Sequence, residues 1–436
     1  MFENKETELK RAVLVGVNTG ADAQFDVSMR ELAGLAEACG YVPADTVTQR
    51  LSQPENATYI GSGKLQEVKE ALYLSDADSV LVLNALSPAQ LSNLTEELDA
   101  EVLDQTGLIL QIFGDRARSA EARMQVEYAK LQYMLPRLAG LRQNLSRQGG
   151  TGGSMSNKGS GEKQIELDRR HIEKRMAELR RGLSEVENDR ETMRRKRRSA
   201  GIPFVSLVGY TNAGKSTLMN RMLDTYCPDT EKKVLEQDML FATLDTTVRR
   251  IKLGNGRDFL LSDTVGFIHD LPHSLVKAFR STLEEARLSD LLLEVVDCSD
   301  SNYERQMEVT EQTLREIGAG SVPVLYVMNK ADRMEETWKD ESGETASDVL
   351  PRVSGNRIYL SAKTGKGIEQ LAELIADRLF GKRICCSFLI PYSDAAAEHR
   401  LRQNAEILES EYREEGIYLR CRLEQRQLAA FKEYAV

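Results

Sequence analysis

Short apolar runs alternate with amphipathic helical patterns over the N-terminal part of the chain. Apolar runs cover residues 12–17 and 80–83, and helical spacing covers residues 29–38 and 88–98. Ser87 precedes the second of these helices and is a favourable N-cap. This alternation predicts a small α/β domain with a largely parallel sheet.

The apolar spacing changes from residue 124 onward to alternating steps of four and three. Such spacing places an apolar stripe along one side of a long helix. A second stripe follows further along the chain, and two long helices with facing stripes predict an antiparallel hairpin. The positions are Met124, Tyr128, Leu131, Leu135 and Leu138 in the first stripe, and Ile172, Met176, Leu179, Leu183, Val186 and Met193 in the second.

The segment between the two stripes, residues 148–161, contains six glycines and predicts a flexible tip. The second helix is basic, because residues 163–198 hold 13 Lys or Arg against 8 Asp or Glu, a balance of +5. A glycine-rich loop on a basic stalk can insert into structured RNA, where main-chain NH groups and long cations meet phosphates. A solvated coiled coil explains the same composition. A further alternative for the basic run at residues 194–198 is a linker that contacts an acidic neighbour.

A third region contains the motif GxxxxGKS, which follows an apolar run at residues 204–208 and precedes a helix. Its glycines allow main-chain NH groups and a helix N-terminus to converge on phosphates. Lys215 would reach the β- and γ-phosphates, and the hydroxyl of Ser216 would bind Mg²⁺. The motif predicts that a nucleoside triphosphate is bound by Gly209, Tyr210, Thr211, Asn212, Ala213, Gly214, Lys215, Ser216 and Thr217.

A second motif selects the base, because the apolar run at residues 322–328 ends in the sequence NKAD at residues 329–332. A carboxylate there can accept hydrogen bonds from the ring NH and the exocyclic amine of guanine, a donor pair that adenine lacks. Alone, this tetrapeptide is an ordinary loop at a strand end, but its position after a phosphate loop favours GTP. The motif SAK at residues 361–363 is predicted to brace the guanine from the far side. The predicted base contacts are Asn329, Lys330, Asp332, Ser361, Ala362 and Lys363.

Two segments between these motifs are expected to respond to the nucleotide. Asp263 would hold the metal through water, and the NH of Gly266 would sense the γ-phosphate. Thr243, in a polar stretch without clear periodicity, is the candidate second hydroxyl ligand of Mg²⁺. The two segments comprise Phe241, Ala242, Thr243, Leu244 and Asp245, and Asp263, Thr264, Val265 and Gly266.

The residue after Gly266 is Phe267, where many guanine-nucleotide switch proteins have the glutamine that orients attacking water. No side chain of the chain is therefore assigned as catalytic, and slow intrinsic hydrolysis is expected. A partner or a rearranged switch backbone would supply the missing group. Asn212 has two explanations, either an amide that helps to seat K⁺ beside the phosphates or a residue that stabilises the loop.

Composition limits the remaining classes of function. The chain of 436 residues has a net charge of −10, which argues against a uniformly basic nucleic-acid binder. Its six cysteines and four histidines show no metal-ligand spacing. Reduced thiols are the default expectation for these cysteines. The charged N-terminus and the lack of a long apolar run predict a cytoplasmic protein with no integral membrane segment, and leave peripheral membrane association open.

With these motifs in place, the chain resembles, nearly end to end, the HflX family of translation-associated GTPases, of the Obg-HflX-like group in the TRAFAC class. The resemblance implies binding to the 50S ribosomal subunit, to rRNA near the peptidyl-transferase region, and GTP-dependent separation of stalled or idle 70S ribosomes. It also implies that Thr243 is the switch threonine and that Phe267 is the family's hydrophobic replacement. The glycine loop departs from the family pattern at residues 154–157 and at residues 159–163, where GSGEK replaces GPGET. The distinctive segments are YIGSGK at 59–64, FGDRA at 113–117 leading to Gln132 and Tyr133, GEKQIE at 161–166 with DRR at 168–170, and FATLD at 241–245.

These observations predict an α/β multidomain protein whose P-loop GTPase domain has a mostly parallel sheet. The predicted parts are an N-terminal α/β domain (1–115), a helical hairpin with a glycine-rich tip (116–200), the GTPase domain (201–381) and a C-terminal α/β unit (382–436). Within that last unit, a helix is predicted at residues 395–411 and a strand at residues 416–423.

The predicted function is that of a GTP-binding and GTP-hydrolysing factor that binds the large ribosomal subunit and splits or rescues stalled or idle ribosomes. An alternative is a GTP-dependent switch or assembly protein whose hairpin recruits a protein partner. ATP-driven RNA remodelling by the N-terminal domain is supported only by the glycine turn at residues 59–64, which is more simply a tight turn that opens a helix.

Overall fold

The computed structural model describes most of the chain. The described residues are 10–20, 24–148, 158–199, 201–228, 247–254, 257–264, 266–267, 280–334, 350–424 and 428–436. Thr243, with the rest of the predicted segment 241–245, Val265 and residues 149–157 of the predicted tip lie outside them. The chain divides into two compact units, of which the first contains the described residues through Met193 and the second contains most of those from Arg194 onward.

The first unit begins with a parallel sheet whose strands are connected by helices. Its strands are β1 (Lys10–Asn18), β2 (Tyr41–Arg50), β3 (Ser79–Val82) and β4 (Glu101–Asp104), and its helices are α1 (Phe25–Ala38), α2 (Ser62–Ser75), α3 (Pro88–Leu98) and α4 (Gln105–Arg116). The strand order is β2-β1-β3-β4, and every pair is parallel. The predicted alternation of strands and helices is confirmed, with Ser87 capping α3.

The glycine-rich turn at residues 59–64 opens helix α2. Gly61 is the N-cap of this helix, and its NH donates to Oε1 of Gln49 at 2.9 Å. The ammonium of Lys64 lies 2.7 Å from Oε2 of Glu67 on the same helix. The segment thus has the geometry of a tight turn with a helix start.

Two long helices, α5 (Ala120–Gln148) and α6 (Lys158–Ser199), form the predicted antiparallel hairpin. Their direction follows from the ion pairs of Glu121 with Arg190, at 2.8 Å, and of Glu127 with Arg175, at 2.7 Å. Because α6 begins at Lys158, Gly159 and Gly161 are helical and not part of the tip. Glycine weakens a helix interior by about 1 kcal/mol relative to alanine but does not end it as proline does.

The buried face of α5 differs from the predicted stripe. Ala122, Val126 and Ala129 are buried, whereas Met124 and Tyr128 are half-buried. The reason is that α5 packs against α3 and α4 as well as pairing with α6, so that it has two apolar faces. In α6, Leu179 is buried as predicted, but Met193 at the end of the stripe is exposed.

A buried carboxylate fastens α5 to the end of β4. Asp104 accepts hydrogen bonds from the NH groups of Leu86 (3.0 Å) and Gly107 (2.8 Å). It also accepts from the hydroxyl of Tyr133 (2.7 Å) and from Nη2 of Arg137 (3.0 Å). Burial, reinforced by this carboxylate, raises the pKa of Tyr133, so the hydroxyl remains a donor. Tyr133, one of the residues on which the family resemblance rests, is therefore a structural anchor.

The second unit contains a seven-stranded sheet of order β10-β11-β9-β8-β5-β7-β6. Only the outer pairs, β6 with β7 and β10 with β11, are antiparallel. The predicted mostly parallel sheet is confirmed. Its elements are β5 (Phe204–Val208), α7 (Lys215–Tyr226), β6 (Thr247–Ile251), β7 (Phe259–Asp263), α8 (Arg280–Arg287), β8 (Leu291–Asp297), α9 (Tyr303–Glu316), β9 (Val324–Asn329), β10 (Arg352–Ser354), β11 (Arg357–Tyr359) and α10 (Ile368–Phe380).

A small antiparallel sheet ends the chain, with strand order β12-β14-β13. The helix predicted at residues 395–411 is wrong in its length, because it ends at Asn404 and Ala405 is extended (φ −121°, ψ 153°). Backbone pairing with the neighbouring strand outweighs the helical propensity of the glutamate-rich residues that follow. The elements are β12 (Arg383–Ile390), α11 (Ala395–Asn404), β13 (Glu406–Arg413) and β14 (Gly416–Glu424). In the part of the chain that the structure describes, no helix combines the length and apolar character needed to cross a membrane.

Glu294 is a carboxylate inside the central strand β8. Its side chain is buried, and neither oxygen has a hydrogen-bond partner among the described residues. Burial, with a smaller contribution from Glu311, raises its pKa to about 8. The folded protein therefore holds a proton on Glu294 at neutral pH, whereas an unfolded chain does not.

This proton makes stability depend on pH. Because the pKa of Glu294 is raised on folding, its contribution to stability is fully present below the ordinary pKa of 4.5 and declines as pH rises toward about 8. We expect Glu294→Gln to remove this decline, so that its stability relative to the parent rises by on the order of 3 kcal/mol between pH 5 and pH 9. Urea unfolding followed by circular dichroism measures this difference.

The matched control is Glu308→Gln, which changes an exposed carboxylate on α9. Its unfolding free energy should follow that of the parent at every pH. Parallel curves for the parent and Glu294→Gln would show that Glu294 does not carry the proton.

Candidate functional site

The predicted nucleotide motifs lie at one edge of the second unit's sheet. The carboxyl ends of parallel strands meet at the same edge, and the loops that follow them form the usual ligand crevice of such sheets. The phosphate loop follows β5, Asp263 ends β7, Asn329 ends β9, and the SAK motif follows β11.

Two glycines of the phosphate loop are required by close approach. Gly209 has φ +135°, and a Cβ atom there would lie 2.3 Å from the carbonyl oxygen of Val295. Gly214 has φ +95°, and its Cβ would lie 2.3 Å from Nδ2 of Asn329. Any side chain at either position would therefore displace the loop from the neighbouring strands. Asn212 has φ +59°, a left-handed conformation that asparagine tolerates well, in keeping with its loop-stabilising explanation; a role for it in binding K⁺ stays a prediction.

Lys215 begins helix α7 and is buried. Its ammonium donates to the carbonyl oxygens of Gly209 (3.0 Å) and Tyr210 (2.7 Å), so it lies inside the curve of the loop. Burial lowers its pKa to about 8, although the charge of Asp263 opposes this shift. A bound phosphate would favour the charged form, because an opposite charge nearby raises the pKa of an amine.

Ser216 connects the phosphate loop to Asp263. Its hydroxyl donates to Oδ2 of Asp263 at 2.7 Å, although the two residues come from different strand ends. Hydroxyl and carboxylate oxygens are the ligand type that Mg²⁺ prefers, so this donor set fits the predicted magnesium. The hydroxyl of the neighbouring Thr264 donates to the carbonyl of Leu207 at 2.6 Å and fixes the turn after β7.

The chain after Asp263 pairs with the phosphate loop. The NH of Thr211 donates to the carbonyl of Phe267 at 2.8 Å, and the NH of Phe267 donates to the carbonyl of Gly209 at 3.1 Å. A Cβ on Gly266 would lie 2.9 Å from both the ammonium of Lys215 and Cα of Thr211. The side chain of Phe267 is buried, so it packs in the interior and offers no group to a water molecule.

Asn329 joins the base-side loops to the phosphate loop. Its Nδ2 donates to the carbonyl of Ala213, and its Oδ1 accepts from the NH of Ala362, both at 2.9 Å. One carboxylate oxygen of Asp332 is buried and has no hydrogen-bond partner among the described residues. A buried acceptor of this kind suits a ligand with paired NH donors, which is the edge that guanine presents.

The SAK loop is held from both sides. The hydroxyl of Ser361 accepts from the NH of Thr364 at 3.2 Å. The guanidinium of Arg221 on α7 donates to the carbonyls of Ala362 (3.0 Å) and Lys363 (2.5 Å). Arg221 thus clamps this loop against the helix that starts at the phosphate loop.

Sequence reasoning missed three supporting residues. They are Arg221, Asp297, which pairs with the ammonium of Lys330 at 2.8 Å, and Cys298, whose thiol donates to the carbonyl of Asn329 at 3.0 Å. Burial raises the pKa of Cys298 to about 12, which keeps it a donor. The sequence signal for Asp297 was its place at the end of an apolar run, as for Asp263, whereas Arg221 had none.

Comparison with known proteins places the site in a family. Residues 26–114 match "GTP-binding GTPase N-terminal", residues 116–197 match "GTP-binding GTPase Middle Region", and residues 204–330 match "50S ribosome-binding GTPase". A solved GTP-binding protein from the archaeon Sulfolobus solfataricus, in complex with GDP, is 26% identical, with a TM-score of 0.43, over 85% of this chain and 98% of that chain.

Two relatives are similar over nearly their whole length. A GTPase HflX from Lacrimispora saccharolytica is 41% identical over 419 residues, which cover 96% of this chain and 94% of the relative. A GTPase HflX from Escherichia coli (strain K12) is 39% identical over 406 residues, which cover 93% of this chain and 91% of the relative. Identity of this extent shows that the chain is a GTPase and belongs to the HflX family.

Proposed function

We propose that this GTPase binds the large ribosomal subunit and promotes the splitting or rescue of stalled or idle 70S ribosomes. The observation that carries the proposal is the match of residues 204–330 to a family described as 50S ribosome-binding GTPase. The basic stalk supports it, because residues 163–198 carry +5 in a chain of net charge −10. The proposed contact is rRNA near the peptidyl-transferase region, and the proposed place of action is the cytoplasm.

In this proposal the loops at the sheet edge hold GTP or GDP. Asp332 pairs with the guanine, while Lys215 and the main chain of the phosphate loop hold the phosphates. Mg²⁺, when bound, offsets phosphate charge; Ser216 and Thr243 would be its ligands, with Asp263 acting through water. The proposed nucleotide contacts are residues 209–217, 241–245 and 263–266 with Asn329, Lys330, Asp332, Ser361, Ala362 and Lys363.

Slow intrinsic hydrolysis is part of the proposal. Phe267 stands where a water-orienting glutamine is found in many related switch proteins, and its side chain is buried. The group that orients the attacking water must therefore come from a partner or from a rearranged backbone. Ribosome contact is the proposed stimulus.

The proposed cycle requires that GTP and GDP change the affinity for the ribosome. A nucleotide can shift an equilibrium only through contacts that differ between the two states. We propose that the segments around Thr243 and Asp263 make these differing contacts, because they would bind the γ-phosphate and the metal.

Nucleotide choice tests the base site. We expect Asp332→Asn to weaken GDP binding about 100-fold, because the new amide NH₂ would oppose an NH donor of guanine. Isothermal titration calorimetry with GDP and ADP measures this change. Asp224→Asn, at an exposed position on α7, should bind GDP like the parent. Full GDP affinity in Asp332→Asn would remove the assigned role of this carboxylate.

Cosedimentation with purified 50S subunits tests the ribosomal function. We expect a non-hydrolysable GTP analogue to support binding at least about tenfold tighter than GDP does, with an affinity that falls as salt rises. Lys215→Ala should abolish this difference, whereas Lys252→Ala, at an exposed position of the same domain, should keep it. Equal affinity of the GTP and GDP forms would contradict the proposed cycle. No binding to 50S, together with salt-resistant capture of a protein by the hairpin, would favour the alternative of a partner-recruiting switch.

A further inference from the structure

We propose that Arg194 is a positioning residue that couples the base of helix α6 to the nucleotide state. This inference rests on the proposed function, because it names how the GTPase site would control the basic stalk. Arg194 is the first residue of the basic run at residues 194–198. None of the nucleotide-site contacts described above gives this run a role.

The side chain of Arg194 is turned toward an acidic pair on α8. Its Nε and Nη2 lie 3.4 and 3.2 Å from Oε1 of Glu285, and its Nη1 lies 3.9 Å from Oε2 of Glu284. The next residue, Arg195, is exposed. Arg194 therefore makes the predicted contact with an acidic neighbour, although it does so from within helix α6 and not from a linker.

The contact is shielded from water. The side chains of Arg194 and Glu285 are only 12% and 5% exposed. Most surface ion pairs contribute little, because water and salt screen them, but a shielded pair with several contacts holds its partners in a defined geometry. Arg194 can thus make the last turns of α6 move together with α8.

Helix α8 is connected to the nucleotide site through β5, the strand that leads into the phosphate loop. Two residues after α8 ends, the hydroxyl of Ser289 lies 2.7 Å from the hydroxyl of Ser206 on β5 and donates to the carbonyl of Glu285 at 2.8 Å. A shift of β5 and the phosphate loop on GTP binding would therefore reach Glu285.

The covalent route between α6 and the site is less direct. Helix α6 ends at Ser199 and β5 begins only at Phe204, and the described residues between them, 201–203, form a non-helical joint. A joint of this kind absorbs small rotations instead of transmitting them. The Arg194 contact bypasses it, and α6 continues from Arg194 back to Lys158 as one helix of the basic hairpin.

The test compares Arg194→Ala with the neighbouring variant Arg195→Ala. For each, cosedimentation gives the ratio of 50S affinities with a non-hydrolysable GTP analogue and with GDP. We expect Arg194→Ala to bind GTP normally but to lose at least tenfold in this ratio. Arg195→Ala should weaken binding in both nucleotide states alike and leave the ratio unchanged.

Two further variants separate coupling from folding. Glu285→Gln removes the charge with little change of shape and should lower the ratio as Arg194→Ala does. The double variant Arg194→Glu with Glu285→Arg restores an opposite-charge pair and should recover the ratio. An unchanged ratio in a folded Glu285→Gln or Arg194→Ala protein would overturn the inference.

A measurement without ribosomes keeps this inference distinct from the proposed function. Hydrogen–deuterium exchange of residues 185–199 should differ between the GTP-analogue and GDP forms of the parent, and the difference should vanish in Arg194→Ala. No difference in the parent would overturn the coupling. Failure of the parent to bind 50S would overturn the ribosomal function alone, and the exchange difference would then still decide the role of Arg194.

Discussion

The amide of Asn329 is the contact on which the nucleotide site depends. It joins loops from three strands, because it donates to Ala213 in the phosphate loop and accepts from Ala362 beyond β11, while its own main chain ends β9. It also explains Gly214, since a Cβ there would overlap this amide. A buried amide that loses a partner costs about 1–3 kcal/mol, so the three loops hold one another in place. The protein's own hydrogen bonds therefore build this crevice.

Burial shifts the pKa values of two titratable groups of the second unit in opposite directions. Lys215, whose pKa burial lowers, is held by two carbonyl oxygens of the phosphate loop. Glu294, whose pKa burial raises, remains protonated within the central strand. A buried ammonium is unfavourable until an anion approaches it. Phosphate binding thus relieves an electrostatic cost that the fold imposes on Lys215.

The spacing of apolar and polar residues predicted those parts of the structure that depend on residues close together in the sequence. The alternation of strands and helices predicted one parallel and one mostly parallel sheet, and the ends of parallel strands brought Ser216, Asp263 and Asn329 to one edge. Contacts over long sequence distances were not visible in the pattern. The residues after Asn404 are helix-favouring in composition, yet they pair as β13 because β14 offers a free edge. Likewise α5 buries Ala122 and Val126 because it packs on two neighbours, and no periodicity within one helix reveals the second. Arg221 clamps carbonyls that any residue could present, so its role leaves no sequence signature.

The phosphate loop and the segment after Asp263 are hydrogen-bonded to each other, and this bears on catalysis. Thr211 and Phe267 form a short ladder across which Gly266 has no room for a side chain. Phe267 therefore does more than replace a glutamine, because its main chain pairs with the loop while its ring fills the interior. If the backbone at Phe267 is to move and help an attacking water, this ladder must break. Two hydrogen bonds of this kind contribute about 1–3 kcal/mol together, a cost that binding to a large partner can readily offset. This arrangement supports the proposal that hydrolysis waits for a partner.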